Sequence, residues 1–201
     1  MTGVPGIAFP GGLLAALLTC AVAIDIRSRR IPNKLIVAGW VLALGWHLLG
    51  PAGRWTFDPA EPGSVGAVGA LLAGAVLLLG FLPFYLLRIM GAGDVKLMSV
   101  VGMFFGATSS AWTQLVGVSL FVLAAGGALA LARIAVSRRA GAVAANLRLI
   151  FAGYSGRMLG LPAPAFDPRV DSADRMPYAI AIATGTCLYL VTKWAGWIQF
   201  P

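Results

Sequence analysis

Hydrophobic positions in this chain run together in long uncharged stretches, separated by short clusters of charge and of Gly and Pro. The stretches are Ile7 to Ile24, Leu35 to Gly50, Ser64 to Leu87, Leu97 to Ala132, and Met176 to Ile198, the last broken only by Lys193. A membrane-crossing helix needs about 20 apolar residues, so each stretch has the length scale of a span. The fourth is too long for one: its 36 residues would extend about 54 Å at 1.5 Å per residue, against a hydrocarbon core of about 30 Å. Gly106-Ala107-Thr108-Ser109-Ser110 supplies the turn that divides it. The pattern therefore predicts an all-α, polytopic membrane protein of about six transmembrane helices. They lie near 7–24, 35–50, 64–87, 97–112, 113–132 and 176–198, in one membrane-embedded domain, with a long basic loop over 133–175.

Composition removes the main rival. Of 201 residues, 59% are hydrophobic and 11% charged, with a mean hydropathy of +0.88, where a soluble domain carries roughly 25% charge. A large soluble domain is excluded. The net charge of +8 and pI near 10.3 do not indicate nucleic acid, because the charges lie between apolar runs, where they orient spans. Thirteen of the fifteen Lys and Arg fall in alternate connections: Arg27, Arg29, Arg30 and Lys34; Arg88 and Lys96; and Arg133 through Arg175. Only Arg54 and Lys193 fall on the other side, so both termini are expected outside, with the first, third and fifth loops cytoplasmic. With no basic residue ahead of the first apolar run and several after it, that run reads as a retained span, not a cleaved signal. The 133–175 loop opens with Arg138, Arg139 and Arg148 among apolar residues, as in a helix lying on anionic lipid. Cys20 and Cys187 sit inside apolar runs, giving neither a zinc site nor a disulfide framework.

Of seven acidic residues, Asp58 and Glu61 belong to the loop after the second span, and Asp167, Asp171 and Asp174 to the long basic loop. The latter three, beside Arg169 and Arg175, read as a self-paired solvated cluster. Two remain. Asp25 ends the first span in Asp25-Ile26-Arg27-Ser28-Arg29-Arg30-Ile31-Pro32-Asn33, and Asp94 precedes the fourth in Gly91-Ala92-Gly93-Asp94-Val95-Lys96. Charge counting puts both at one membrane boundary, where carboxylates are costly and thus functional candidates. Gly91 and Gly93 are expected to allow unusual dihedrals and close backbone approach, and Pro32 to start the second span rigidly. Lys96 reads as a snorkelling interfacial residue, and Asn33 as a residue that orients Asp25 or finishes a turn. His47, without another His or Cys nearby, reads as packed, and the six Trp mostly as interface anchors.

The pairing of Asp25 and Ile31-Pro32-Asn33 with Gly91-Ala92-Gly93-Asp94-Val95-Lys96 resembles the type IV prepilin peptidases, membrane aspartic proteases of the Gly-x-Gly-Asp class. Met176-Pro177-Tyr178-Ala179-Ile180-Ala181 extends the resemblance to the last span. It implies that Asp25 and Asp94 are the catalytic pair and that Gly91, Gly93, Lys96, Ile31, Pro32 and Asn33 support them. No cofactor or metal is implied. The implied substrate is a prepilin or pilin-like precursor whose short basic leader is removed at the cytoplasmic side of a bacterial inner membrane, beside the pilus assembly machinery. The interval from residue 25 to 34 lacks the cysteine-bearing segment of full-length members that also methylate the new amino terminus. In this the chain resembles the short form linked with Flp-type, tight-adherence pili. The Tyr-Asp and Pro-Ala-Leu motifs of presenilin-like and signal-peptide-peptidase-like proteases are absent.

Two like charges held a few ångströms apart share their titration, so one carboxyl stays protonated while the other acts as base. A helix amino terminus favours charge on Asp94 and a helix carboxyl end disfavours it on Asp25, which predicts Asp94 as the base; Arg27, Arg29 and Arg30 work in the opposite sense. Two other classes fit paired membrane acids: a small proton- or ion-coupled transporter, and a non-catalytic component of a pilus or secretion machine.

Overall fold

The computed structural model describes residues 5–58, 60–87, 89–108, 112–137, 141 and 177–197. Within them lie six helices: α1 (Pro5–Ser28), α2 (Asn33–Leu49), α3 (Gly66–Leu86), α4 (Ala92–Phe105), α5 (Trp112–Ser137) and α6 (Tyr178–Trp194). Most of the 133–175 loop, including Arg138, Arg139, Arg148, Asp167, Asp171 and Asp174, lies outside the described residues. The chain divides into two compact units, Met1–Gly126 with Pro177–Pro201, and Gly127–Met176. In the second, the described part is the last turns of α5 to Ser137 together with Gly141.

Apolar segments become helices here because a helix satisfies its own backbone polar groups where no water can. Phe9–Ser28, Gly66–Leu86 and Trp112–Val136 are long and apolar enough to cross a membrane, and Asn33–Leu49 is a shorter apolar helix. This is a helical membrane protein. Leucines and valines such as Leu49, Leu72, Leu79, Val116 and Leu120 face outward, the composition that acyl chains solvate.

The core of the first unit is built around α4. Its 14 residues extend only about 21 Å at 1.5 Å per residue, short of a hydrocarbon core. From Val95 to Phe105 every side chain but Lys96 is buried. Small residues let neighbouring backbones close on it, as is usual where helices pack in lipid. A Cβ at Gly102 would lie 2.5 Å from the Ala73 carbonyl oxygen, one at Gly74 2.5 Å from Met103, and one at Gly39 2.6 Å from Val100. Trp40 Nε1 donates to Ser99 Oγ at 2.9 Å, and Ser99 Oγ donates to the Lys96 carbonyl at 2.6 Å, which ties α2 to α4.

α4 starts five residues before the expected Leu97 and stops at Phe105. Its start is early because Asp94, third residue of the helix, accepts the Gly91 N–H at 3.1 Å and so caps the first turn. Its stop comes at Gly106, whose φ of 71° ends the α-helical run.

Around that end the 51–65 loop is ordered by backbone bonds: Gly53 N–H to Ser64 O, Arg54 N–H to Glu61 O, Gly63 N–H to Trp55 O, and Ser64 N–H to Pro51 O. His47, 2% exposed, accepts the Val65 N–H on Nδ1 at 3.2 Å. The proton therefore resides on Nε2, which donates to the Met103 carbonyl at 2.9 Å, one of the orphan carbonyls of the last turn of α4. Phe57 stacks edge-on against Phe105, with ring centroids 5.0 Å apart. Trp55 is buried under Lys193, whose ammonium lies 5.6 Å from the ring centroid. The tryptophans thus divide: Trp112, Trp194 and Trp197 are exposed as interface anchors would be, whereas Trp55 and Trp40 are packed inside the fold.

Candidate active site

Asp25 belongs to the last turn of α1 and Asp94 to the first turn of α4. Asp25 is 6% exposed, and its Oδ2 accepts the Ala179 N–H at 3.3 Å. That donor is available because the first N–H groups of a helix have no partner within it. Pro177, with φ −70°, leads rigidly into α6 and sets the register. The preceding residue in that turn, Tyr178, feels the charge of Asp94 across the site. The ends of three helices therefore meet here, and the first turn of α6 supplies the donor to Asp25.

Burial pushes the Asp94 carboxyl up to about 7; the charge of Asp25 pushes the same way, and the Gly91 N–H pulls back. An effect of one carboxylate on the other requires them to be near neighbours. Burial and the Asp25 charge both work against the helix dipole at Asp94. The dipole favours charge on Asp94, as the Gly91 N–H does, but desolvation and a like charge outweigh both. Arg29, the residue whose charge acts on Asp25, works in the direction that opposes the dipole argument.

Both glycines of the Gly-x-Gly-Asp segment have a steric reason rather than a conformational one. Gly91 has an ordinary φ of −75°, and among the described residues the glycines with positive φ are Gly66, Gly106 and Gly196. A Cβ at Gly91 would lie 2.9 Å from Asp94 Oδ2, so glycine lets the carboxylate fold back onto the backbone. A Cβ at Gly93 would lie 3.1 Å from Ile31 Cβ, so glycine lets the segment after Asp25 lie against the segment before Asp94. Pro32 stands just ahead of α2 as its N-cap, with φ −69° and ψ 139°, and Asn33 is the first helical residue. Asn33 Oδ1 accepts from Lys96 Nζ at 3.1 Å. Lys96 thus spans α4 and α2 rather than reaching away, and Asn33 is engaged by Lys96.

Sequence reasoning missed two features. Arg29 has φ 53°, an unusual value for a side chain with a Cβ; its N–H bonds the Asp25 carbonyl at 2.8 Å and turns the chain sharply after α1. Ser28 Oγ, contacting the Ile24 and Arg30 carbonyls at 2.9 and 3.0 Å, braces that turn. The second is Ala179, whose contribution is a backbone group that any residue but proline would supply. Its signal was the Met176 to Ala181 segment. Among the described residues, no group of three or more His, Cys, Asp or Glu could hold a metal.

The profile of the type IV leader peptidase family matches residues 12–131, from the first turns of α1 into the second half of α5, with Asp25 and Asp94 both inside the match. Among curated proteins and solved structures, nothing matches the chain.

Proposed function

The chain belongs to the type IV leader peptidase family, and from that premise we propose that it is an aspartic endopeptidase in which Asp25 and Asp94 activate water to cut a prepilin-like precursor. The observation that carries this reading is that two carboxyl groups come from the ends of different helices, Asp25 held by the Ala179 N–H at 3.3 Å and Asp94 by the Gly91 N–H at 3.1 Å. Ionised Asp25 takes a proton from water as the water oxygen attacks the scissile carbonyl carbon. Protonated Asp94 hydrogen-bonds the carbonyl oxygen and passes it a proton as the tetrahedral intermediate forms. When the C–N bond breaks, the proton gained by Asp25 goes to the leaving amine and Asp94 recovers its proton from the hydroxyl of the collapsing intermediate. The pair returns to its starting state with no covalent enzyme intermediate.

The charge distribution supports a site on the cytoplasmic face of a bacterial inner membrane, since Arg27, Arg29, Arg30, Lys34 and Lys96 flank it. The substrate class that fits is a precursor whose short basic leader lies at that face and is cut off ahead of its hydrophobic helix. The brief α1–α2 connection supports the short, Flp-type form and leaves out the cysteine-bearing segment associated with amino-terminal methylation. The test is cleavage of a co-expressed pilin precursor in membranes by the parent, Asp25→Asn and Asp94→Asn, at equal insertion. Shortening by the parent alone supports the protease; shortening by all three removes the two-aspartate assignment, and none by the parent returns the transporter or scaffold reading.

A further inference from the structure

α6 lies outside the matched stretch, yet its first turn supplies the N–H that Asp25 accepts, so whatever fixes that turn acts on the site. The bond is 3.3 Å long, at the far end of the useful range for N–H···O, and a shift of about half an ångström loses it. Helix ends fray, and this one is tied from within by a bond of the same length, Ile180 N–H to the Pro177 carbonyl at 3.3 Å. α5 supplies a firmer hold. Along the two helices, glycine on one meets bulk on the other. A Cβ at Gly117 would lie 2.6 Å from Tyr189 Cε2, one at Gly185 2.5 Å from Val122 Cα, and one at Gly126 3.4 Å from Tyr178 Cε1 and 3.6 Å from Ala181 Cβ. The first two contacts set how far α6 has slid along α5. The third lies at the very start of α6, where Gly126 receives the two residues that bracket Ala179 and Ile180. The Tyr178 ring seated there is half buried and packs against the core, with rigid Pro177 behind it.

We propose that Tyr178 is a positioning residue whose ring, seated on Gly126, pins the first turn of α6 so that the Ala179 N–H stays on Asp25. The proposal rests on the two-aspartate reading. The ring acts by its shape, and the hydroxyl has no part in it. An N–H donated to a carboxylate stabilises the ionised form, so the pin keeps Asp25 available as the base. It also holds one carboxylate oxygen in place and leaves the other for water, which is an orientational contribution to the attack.

The experiment records pH profiles for cleavage of one prepilin-like precursor in proteoliposomes. It compares the full chain with Tyr178→Phe, Tyr178→Ala, Gly126→Val, Asp25→Asn and Asp94→Asn, and with a chain in which lactic acid replaces Ala179, exchanging the N–H for an ester oxygen. Tyr178→Phe keeps the ring and is expected to give the parent profile. Tyr178→Ala removes the pin, and Gly126→Val displaces it from the α5 side, so the test does not depend on one variant folding. Both are expected to move the acid limb up by about one pH unit and to lower kcat about tenfold, with KM close to the parent. The lactic acid chain should show the same shift, and adding Tyr178→Ala to it should move the limb no further. A ring that only stabilises the fold would lower the thermal midpoint and leave the limb in place. An acid limb unmoved in Tyr178→Ala, Gly126→Val or the lactic acid chain, or displaced in Tyr178→Phe, overturns the role of the ring; with both aspartate variants inactive, the pair still stands. Retained cleavage in Asp25→Asn and Asp94→Asn overturns both.

Discussion

The two ends of α4 are built to opposite rules. At the carboxyl end, His47 pairs both ring nitrogens, Gly106 takes the helix out of register, and Phe57 and Phe105 pack edge to face. At the amino end, a half-buried carboxyl is held near a second one, and the chain before it is thinned by Gly91 and Gly93 to let this happen. One end is satisfied and closed, the other carries an electrostatic conflict. The contrast teaches where a small membrane enzyme holds its fold together and where it spends that security. The conflict at Asp94 is tolerable because α4 is gripped along its whole length by α2 and α3 and locked at its far end.

Breaking each end separately should therefore give different losses. The largest is expected from Asp25→Asn or Asp94→Asn, which should lower kcat for precursor cleavage by at least about a thousandfold; the thermal midpoint should stay at or above that of the parent in Asp25→Asn, where a buried charge is removed, and close to it in Asp94→Asn, where one neutral group replaces another. Next comes His47→Ala. It strips partners from the Val65 N–H and the Met103 carbonyl, at about 1–3 kcal/mol for each group left unpaired. A detergent thermal melt should show the loss, and the fraction still folded should cleave at the parent rate; a normal melt would remove the carboxyl end from its role as lock.

The pH profile sharpens the other side of the comparison. A raised carboxyl keeps its proton until the pH passes its pKa, so cleavage that needs protonated Asp94 should fall about tenfold per unit above about pH 7, and it should fall again on the acid side as Asp25 takes up its proton, giving a bell. Infrared titration of the Asp94 carboxyl should show that pKa drop in Asp25→Asn, where the neighbouring charge is gone. A smaller effect is expected of Gly93→Ala. The Ile31 side chain must yield a few tenths of an ångström, and a misplacement of that order should lower kcat/KM about tenfold. Smallest is Lys96→Met, expected to change cleavage less than about threefold, since the exposed Lys96–Asn33 bond adds little.

Sequence reading went furthest where chemistry is carried by runs of side chains. The helices followed from unbroken apolar stretches, and both candidate aspartates from the scarcity of acids beside them. It stopped where backbone decides. The donor to Asp25 is a backbone N–H at Ala179, for which the Met176 to Ala181 segment marked the place but not the role, and the turn after α1 uses Arg29 at a φ that sequence assigns to glycine. The amino terminus of α4 was placed late because Gly91-Ala92-Gly93 reads as a loop until Asp94 is seen capping it. Of the two properties expected of the glycines, close approach holds, giving room for Ile31 and the folded-back carboxylate, whereas Gly91 has an ordinary φ. The helix dipole at Asp94 is visible in sequence, whereas the depth and the approach of a second charge that oppose it are tertiary facts. Trp55 likewise looks like an interfacial anchor until the 51–65 loop is folded over it.

The bond between Asp25 and Ala179 joins residues 154 positions apart. During synthesis, then, the first carboxylate enters the bilayer long before the group that orients it has left the ribosome. Asp94 follows with the second and third helices, still without the final element. On the two-aspartate proposal, the centre gains the donor that orients Asp25 only when the last helix docks, so a chain truncated before that helix is expected to cleave the precursor more slowly than the parent.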